Sequence, residues 1–440
     1  MRDTIAAVAS PPGVGAISVI RISGPDSWRI VKELTGIENP KPRVIRKARL
    51  GDESGLIDEV MVVFYSSPKS YTGEDMVEIF CHGGPVVTRM VLQAVLKRGA
   101  RVAEPGEFTK RAFLNGKMDL TEAEAVRDLI EARAEEVVRA VAGNLIGGLR
   151  ELLEGIRKKL IDISAAVEVE IDYPDEEDLG VTDLTERIED VFGELQELVE
   201  RSEKAVEMVR GIRVAIVGKP NVGKSTLLNR LLREDRAIVT PIPGTTRDTV
   251  EGELNVRGRY FRVIDTAGLR DTEDPVERIG VERTKREVNK ADLILFLVDD
   301  SFGEEDLKIY ERVKGKRHVV VINKIDRGFD MDTSWAEGKV VRVSALEGTG
   351  IEDLERAMLE LTEDFHVEGG KLLTSGRQIE LARSALNALK NALESSRIGF
   401  PNDVVSLDIQ KALSFLDEIT GRNFREDLLD TIFSTFCVGK

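Results

Sequence analysis

The eight residues at 218–225, which read GKPNVGKS, constrain the fold more than any other part of the chain. Two glycines enclose four residues, Lys-Ser follows, an apolar run precedes at 212–217, and helix-forming residues follow at 226–232. Between a strand and a helix, this spacing is typical of a loop whose backbone N–H groups surround nucleotide phosphates. The pattern therefore predicts a P-loop within a parallel α/β sheet.

The residues of the predicted P-loop have distinct expected roles at a bound nucleotide. Lys224 is expected to place its ammonium against the β- and γ-phosphates, where it would act in catalysis, and Ser225 to ligate Mg²⁺. The following helix adds its positive end to the phosphate site. The other residues of this segment that we expect to contact the nucleotide are Asn221, Val222, Gly223 and Thr226.

Two later segments are similar to the switches that sense the γ-phosphate in nucleotide-binding proteins. Residues 243–248 read PGTTRD. A threonine hydroxyl there would reach Mg²⁺, with Thr246 favoured and Thr245 as the alternative. A strand ending in Asp-x-x-Gly comes next, so we expect Asp265 to hold Mg²⁺ through water and the Gly268 N–H to contact the γ-phosphate.

The base of the nucleotide is predicted by an Asn-Lys-x-Asp element at Asn323, Lys324 and Asp326. A carboxylate at Asp326 can accept two hydrogen bonds from the N1–H and the exocyclic amine of guanine. Adenine offers neither donor and would leave the carboxylate unpaired, which is a heavy penalty. The expected ligands are therefore GTP and GDP. Three further residues are expected to complete the base pocket, namely Ser344, Ala345 and Leu346.

Composition limits the remaining functions. A chain of 440 residues is too long for one ordinary core, and no apolar run is long enough to span a membrane. Two cysteines cannot form a disulfide framework, so a cytoplasmic protein is expected. The net charge of −16 argues against bulk binding to nucleic acid. Residues 1–118, however, carry 17 Lys and Arg against 13 Asp and Glu, so a polyanionic partner would meet this part more easily.

Three kinds of pattern follow one another along the chain. Residues 1–118 mix strand-like runs with turn clusters and predict an α+β domain. Residues 119–210 and 370–440 are rich in helix formers and predict one discontinuous all-α domain. Residues 211–369 alternate strand and helix, which predicts a Ras-like P-loop G domain inserted into the helical one.

Several further motifs are spread over the chain. They are PPG at 11–13, RISG at 21–24, YTGED at 71–75, HGGP at 82–85, AFLNGKMDL at 112–120 and CVGK at 437–440. With these motifs the chain resembles the MnmE (TrmE) family of tRNA uridine-modification GTPases, essentially from end to end. A Cys-x-Gly-Lys terminus on a GTPase is the most diagnostic part of the similarity.

The resemblance implies both chemistry and partners. Family members modify carbon 5 of the tRNA wobble uridine together with an FAD-containing partner of the MnmG type, in a heterotetramer, and no membrane is involved. Their N-terminal domain dimerises and binds a one-carbon tetrahydrofolate, in the 5-formyl or methylene form. By the same resemblance, the folate would be contacted by Arg21, Glu78, Lys117 and Lys440, whose types suit folate carboxylates and a pterin donor face.

The resemblance also implies a potassium ion beside the phosphates, which would drive pairing of two G domains. Its ligands would be the Asn221 side chain and carbonyl oxygens around Thr240, Ile242 and Thr245, and Thr240 would lie at the nucleotide.

The residue that orients the attacking water differs from the pattern of small signalling GTPases. Those proteins carry a glutamine where this chain has Leu269, which cannot hydrogen-bond to water. Glu277 matches the family's water-positioning glutamate and would take that role as a catalytic residue. Its substitution by alanine would then keep GTP affinity and lose most turnover.

Cys437 has three alternative roles. Lipidation fits poorly, because Gly439 and Lys440 do not suit a prenylation signal. A buried structural thiol is the default for an unknown protein. With the family resemblance, a catalytic role in the modification chemistry is favoured. The second cysteine, Cys81, is expected to serve packing.

Two other functions compete with the modification enzyme. The same G domain could serve a regulatory or ribosome-assembly GTPase switch without modification chemistry, but such a switch needs no folate pocket and no Cys-x-Gly-Lys terminus. A folate-dependent one-carbon transferase with a regulatory G domain is partly contained in the favoured function.

Overall fold

The computed structural model describes residues 3–172, 183–233, 252–265, 288–363, 370–424 and 426–440. Within these ranges the chain forms two six-stranded sheets and a group of long helices. Each of the three has a separate apolar core of buried side chains. No helix of the described ranges is both long and apolar enough to cross a membrane.

The first sheet belongs to the N-terminal part of the chain. Its strand order is β3-β4-β5-β2-β1-β6, and all pairs are antiparallel except β1 with β6. Two helices cover one face, α1 (Ser27–Thr35) and α2 (Pro85–Leu96). The strands are β1 (Ile5–Val8), β2 (Ile17–Ser23), β3 (Arg46–Asp52), β4 (Gly55–Tyr65), β5 (Met76–His82) and β6 (Arg101–Val102).

Alternation along β5 separates the two faces of this sheet. Val77, Ile79 and Cys81 are buried in the core beneath the helices, whereas Glu78 and Phe80 point to the opposite face. The structure thus places Cys81 in packing, as expected. The face opposite the helices is where the predicted folate residue Glu78 lies.

The helical unit takes its core from two distant parts of the sequence. Buried residues along α6 recur every three or four positions, so one stripe of that helix faces the bundle. It packs with α7 against two helices from beyond residue 370. The helices of this unit are α4 (Leu120–Glu131), α5 (Glu135–Leu145), α6 (Gly148–Asp172), α7 (Leu184–Arg210), α11 (Gly376–Ile398) and α12 (Asn402–Thr420).

The second sheet has the order β12-β11-β10-β7-β9-β8, and five of its strands are parallel. Its edge strand β8 is antiparallel to β9, a detail that the predicted parallel α/β sheet of a Ras-like G domain left open. The elements are β7 (Ile212–Val217), α8 (Lys224–Arg233), β8 (Gly252–Val256), β9 (Arg259–Asp265), β10 (Leu293–Val298), α9 (Glu304–Tyr310), β11 (His318–Ile322), β12 (Lys339–Arg342) and α10 (Ile351–Glu360).

The antiparallel edge has a local cause. Only Arg257 and Gly258 separate β8 from β9, and both have positive φ, at 49° and 93°. A two-residue turn of this kind reverses the chain and forces antiparallel pairing. The hairpin is also clamped to the helical unit, because Asn255 Nδ2 donates to the Arg133 carbonyl at 3.0 Å and Arg259 pairs with Glu136.

The last part of the chain lies against the N-terminal unit. Helix α13 (Glu426–Ser434) contacts α3 (Glu107–Leu114), and the residues after it form a bridge between Val438 and Pro105. The sequence alone assigns this segment to the helical domain. The bounds at 118/119, 210/211 and 369/370 themselves stay predictions.

Candidate functional site

The P-loop lies between the end of β7 and the start of α8, at the carboxyl edge of the parallel strands. Asn221 and Gly223 have φ values of 63° and 101°, which turn the chain back on itself. A Cβ atom on Gly223 would lie 2.2 Å from Asn323 Nδ2, so only glycine allows this approach. Such a compact loop at a helix N-terminus can present backbone N–H groups to phosphate oxygens.

Side chains of the helix start are available at this loop. The Lys224 ammonium donates to the Gly218 carbonyl at 2.8 Å and to the Lys219 carbonyl at 2.9 Å, so it reaches back across the loop. Ser225 and Thr226 are exposed in the first turn of α8. The arrangement can place one positive charge and one hydroxyl beside a nucleotide's phosphates.

The base-recognition residues lie next to the loop. Asn323 ties the two segments together, because its Nδ2 donates to the Val222 carbonyl at 2.8 Å and its Oδ1 accepts from the Ala345 N–H at 3.0 Å. Asp326 Oδ1 accepts from Ser344 Oγ at 2.6 Å, which orients the carboxylate. The predicted base-pocket segment at 344–346 ends in Leu346, whose side chain is exposed.

Lys324 is held by a carboxylate that the sequence reasoning missed. Its ammonium lies 2.6 Å from Asp299 Oδ2 and donates to the Asn221 carbonyl at 2.7 Å. Burial alone would raise the pKa of Asp299, but hydrogen bonds from Lys324 and Ser301 outweigh it and lower that pKa. Asp299 directly follows the predicted strand at 293–298, and this position was the signal that could have revealed it.

Several predicted site residues lie outside the described residues: Thr240, Ile242, Thr245, Thr246, Gly268 and Glu277. Asp265 ends β9, but its side chain is not described either. Of the residues predicted to hold metal ions, the structure therefore describes the side chains of Ser225, predicted for Mg²⁺, and Asn221, predicted for K⁺. Within the described ranges, no cluster of three or more His, Cys, Asp and Glu residues could hold a metal.

A second candidate site lies on the open face of the N-terminal sheet. Arg21 on β2 stands opposite Glu78 on β5, and their side chains form an ion pair at 2.9 Å. Tyr65 Oη donates to the second oxygen of Glu78 at 3.2 Å, and the Tyr71 ring lies 5.0 Å from the Arg21 guanidinium carbon. Burial and the nearby Glu78 carboxylate raise the pKa of Tyr65, which keeps its phenol protonated as a donor.

The terminal segment reaches this ion pair. The Gly106 N–H donates to the Cys437 carbonyl at 3.3 Å, and the Phe108 N–H donates to the Lys440 carbonyl at 3.2 Å. Arg21 donates to the Gly439 carbonyl at 3.5 Å. Burial, followed by the charge of Arg21, lowers the pKa of the Lys440 ammonium.

The structure thus brings Arg21, Glu78 and Lys440 together, and a cavity of about 390 Å³ connects Glu78 with Lys117. Cys437 is exposed, so the alternative of a buried structural thiol is wrong. A pocket with a paired carboxylate, with a partly buried amine and an exposed thiol on the neighbouring terminal segment, can hold a polar ring beside two reactive groups.

Comparisons with known proteins agree along the whole chain. A family model described as "GTP-binding protein TrmE N-terminus" matches residues 4–117, and one described as "MnmE helical domain" matches residues 120–437. The tRNA modification GTPase MnmE of Thermotoga maritima is 52% identical over 449 residues, covering 100% of both chains. The chain belongs to the MnmE family of tRNA modification GTPases.

Other MnmE relatives support the same membership. The protein of Fervidobacterium nodosum is 47% identical, covering 100% of this chain and 98% of that one, and the protein of Aquifex aeolicus is 43% identical over 100% of both. Among solved structures, the G domain of the T. maritima FeoB iron transporter matches at 26% identity over 34% of this chain and 98% of that chain, with a TM-score of 0.28. Family membership rests on the full-length MnmE relatives.

A buried charge network supports the N-terminal site of this MnmE family member, and sequence reasoning missed it. Arg111 is only 1% exposed and pairs with Asp3, Glu74 and Glu107 at 2.9–3.0 Å. It thereby joins the start of the chain, the loop before β5 and helix α3. Only the four-residue spacing from Glu107 is visible in the sequence, because the other two partners are distant along the chain.

Proposed function

We propose that this chain is a GTP-hydrolysing tRNA modification enzyme. With an FAD-containing partner of the MnmG type, it would add a one-carbon-derived aminomethyl or carboxymethylaminomethyl group at carbon 5 of the tRNA wobble uridine. The observation that carries the proposal is the position of residues 437–440 beside the Arg21–Glu78 pair. A pure switch would have no use for a thiol and an amine held at a second pocket.

The N-terminal residues fit a reduced folate, which supplies the one-carbon unit when it is bound. Glu78 offers acceptor oxygens that suit the donor face of a pterin, and Arg21 pairs with that carboxylate at 2.9 Å. Lys117, whose ammonium contacts only the Pro68 carbonyl among described atoms at 3.0 Å, suits the carboxylates of the folate glutamate. Lys440 would contact the bound folate and Cys437 would act in the modification chemistry, and the lowered pKa makes Lys440 a readier proton donor.

The nucleotide residues fit GTP. Asp326 would select guanine, Lys224 would neutralise the transferring phosphate, and the close approach at Gly223 shapes the phosphate loop. Asn221, Val222, Ser225, Thr226 and the residues at 344–346 would line the rest of this site.

We propose that this chain would hold Mg²⁺ and K⁺ beside the nucleotide phosphates. Ser225, Thr246 and Asp265, the last through water, would hold Mg²⁺, and Thr245 is the alternative to Thr246. Asn221, Thr240, Ile242 and Thr245 would hold K⁺. The N–H of Gly268 would sense the γ-phosphate and Glu277 would position water, so that potassium-dependent pairing of two G domains drives each cycle.

The proposed assembly has three domains in each chain. They are an α+β folate and dimerisation domain at 1–118, a helical domain at 119–210 and 370–440, and an inserted G domain at 211–369. Two chains would pair through their N-terminal domains and join two flavoprotein chains in a heterotetramer that receives tRNA.

The first test is the steady-state GTP hydrolysis rate of the purified chain in potassium chloride and in sodium chloride at equal ionic strength. A large potassium-specific gain is the expected result. Equal, slow rates would favour the alternative, a regulatory or ribosome-assembly switch that awaits an external activator.

The second test separates hydrolysis from modification. Cys437→Ser is expected to hydrolyse GTP at the normal rate and to leave tRNA unmodified when the flavoprotein partner and a reduced folate are supplied. The matched control is Cys81→Ala, which removes the thiol that is buried in the core. Full modification by the Cys437 variant would refute a catalytic role for that thiol.

A further inference from the structure

The cavity at Glu78 carries more positive charge than the proposed site residues account for. It is lined by two tyrosines, Glu78 and three cations, Arg43, Lys69 and Lys117. Glu78, the only carboxylate among the lining residues that the structure describes, already pairs with Arg21 at 2.9 Å. The three lining cations are exposed and have no carboxylate partner in the lining, so they are available to an anionic ligand.

The contacts of these three cations show that no described carboxylate balances their positive charge. Arg43 donates only to the Lys69 carbonyl, at 3.5 Å, and Lys117 only to the Pro68 carbonyl, at 3.0 Å, among the contacts of described atoms. Neither these two side chains nor Lys69 forms an ion pair with any residue in the part of the chain that the structure describes. Partial charges on backbone carbonyls orient such side chains without cancelling their charge.

The positive charge continues from the cavity along the edge of the sheet. Residues 41–49 contain five Lys and Arg residues and no Asp or Glu, in a chain whose net charge is −16. They lead into β3, the edge strand next to β4, and Lys41 and Arg43 are exposed. Of the five, Lys47 is paired, with Glu59 at 2.6 Å.

We propose that Arg43 and Lys69 form a subsite for the poly-γ-glutamyl tail of a reduced folate. This inference rests on the proposed folate function of the same cavity. A folate with one glutamate has two carboxylates, which is one fewer than the cations lining the cavity. Each additional γ-glutamyl residue adds one carboxylate on an extended, flexible chain, and the exposed edge at 41–49 lies where such a chain can continue.

The composition of the cavity favours this ligand over a nucleic acid. Glu78 marks the end of the cavity where the pterin ring would bind, and Tyr65 donates to it. Arg43 lies close enough to Tyr65 for its charge to act on the phenol, so the cations lie next to that end. A phosphate backbone could use the exposed cations, but it would gain nothing from the Glu78 carboxylate beside two tyrosines. A single ligand with a polar ring and a polyanionic tail matches both ends.

The test compares two probes on the full-length chain by isothermal titration calorimetry. The probes are 5-formyltetrahydrofolate with one glutamate and the same compound with three. We expect the triglutamate to bind about five- to tenfold more tightly at low salt, because two further ion pairs form at a partly exposed surface. This ratio should fall toward one at high ionic strength.

Variants locate the subsite. Arg43→Gln and Lys69→Gln are each expected to reduce the ratio of triglutamate to monoglutamate affinity at least about twofold. The affinity for the monoglutamate itself should change less. The matched control is Lys97→Gln, an exposed lysine that follows α2 on the helix-covered side of the sheet and should leave the ratio unchanged.

The outcomes separate this inference from the function on which it rests. If neither probe binds, the proposed folate site fails. If both probes bind equally well, the folate site stands and the tail subsite is overturned. If the two variants weaken tRNA binding while the probe ratio is unchanged, the cations form a nucleic-acid surface and the inference is likewise overturned.

Discussion

The two candidate sites of this chain are built in different ways. The nucleotide site is assembled from short contiguous motifs at one edge of one sheet, and Asn323 and Lys324 tie them together through backbone carbonyls. The proposed folate site depends on side chains separated by 57 residues at Arg21 and Glu78, and on a carbonyl 418 residues away at Gly439. The first site is built within one sheet, whereas the second also needs the terminal segment that follows the helical unit.

The largest expected effect would disrupt the proposed folate site and leave the nucleotide site intact. Arg111→Met removes a buried cation from three carboxylates, of which Asp3 and Glu107 keep their pairs with Arg101 while Glu74 loses its ion pair with Arg111. The free energy of unfolding of the N-terminal unit should fall by about 3 kcal/mol. The measurement is urea unfolding followed by Trp28 fluorescence in a Trp335→Phe background, because the chain has two tryptophans.

The control for this substitution is Arg29→Met, which also removes an ion-paired arginine but one that is 49% exposed. Its cost should be at most about 1 kcal/mol. GTP affinity should be unchanged in both variants. A loss of GTP affinity in Arg111→Met would show that the two sites are not independent.

The converse substitution should disable the nucleotide site alone. Asp326→Asn replaces a charged acceptor by an amide that places a donor against the guanine amine, so GTP affinity should fall about 10²- to 10³-fold. Fluorescent-nucleotide titration measures this, and Asp353→Asn, an exposed carboxylate on α10, is the matched control. Affinity for 5-formyltetrahydrofolate should not change, and a parallel fall in it would contradict the separation of the sites.

The same contrast explains what the sequence could predict. The strands at 212–217, 293–298 and 319–322 and the nucleotide motifs follow from local apolar runs and spacing, and the strands lie where they were predicted. Whether Lys117 or Lys440 meets Glu78 depends on tertiary contacts, so only family resemblance could suggest it. The antiparallel strand β8 and the Arg111 network were not predicted, because a single turn and three distant carboxylates decide them.

A smaller effect tests how the terminal segment is held. Gly106 and Gly116 have nearly equal φ, at 66° and 68°, but a Cβ on Gly106 would lie 2.6 Å from the Phe433 carbonyl oxygen while one on Gly116 would meet nothing within 4 Å. In both alanine variants the left-handed backbone conformation should lower the free energy of unfolding by about 1 kcal/mol. In Gly106→Ala the clash should lower it by about 1–2 kcal/mol more.

The readout for the glycine pair is again unfolding, together with folate affinity. Gly106→Ala should weaken folate binding because it displaces the segment that carries Lys440. Equal behaviour of the two variants would mean that the segment does not complete the site.

The smallest expected effect is a dependence on pH. Burial alone would raise the pKa of Glu107, but hydrogen bonds from Arg101, the Glu104 N–H and Arg111 outweigh it and lower the pKa below the ordinary 4.5. A lowered folded-state pKa contributes stability that is present above pH 4.5 and is lost as the pH falls through the folded value.

Unfolding of the N-terminal unit at pH 7 and at pH 3.5, roughly one unit below the ordinary glutamate pKa, should show this loss. Glu107→Gln should reduce the difference in unfolding free energy between the two pH values. Glu53→Gln, which changes an exposed carboxylate, should leave that difference unchanged. If the Glu107 variant loses as much stability at pH 3.5 as the unchanged protein, the loss comes from other groups.

The divided core of the helical unit has a consequence for synthesis. The stripe of α6 and its partner α7 leave the ribosome before the second sheet does, but their packing partners α11 and α12 begin only at Gly376. Until α11 and α12 have been synthesised, the apolar faces of α6 and α7 that pack against them stay exposed to solvent. The inserted unit has its own core and can fold during this time. A nascent chain halted within the insert would be a natural chaperone client, and a slow translation site between 211 and 369 would lengthen that exposure.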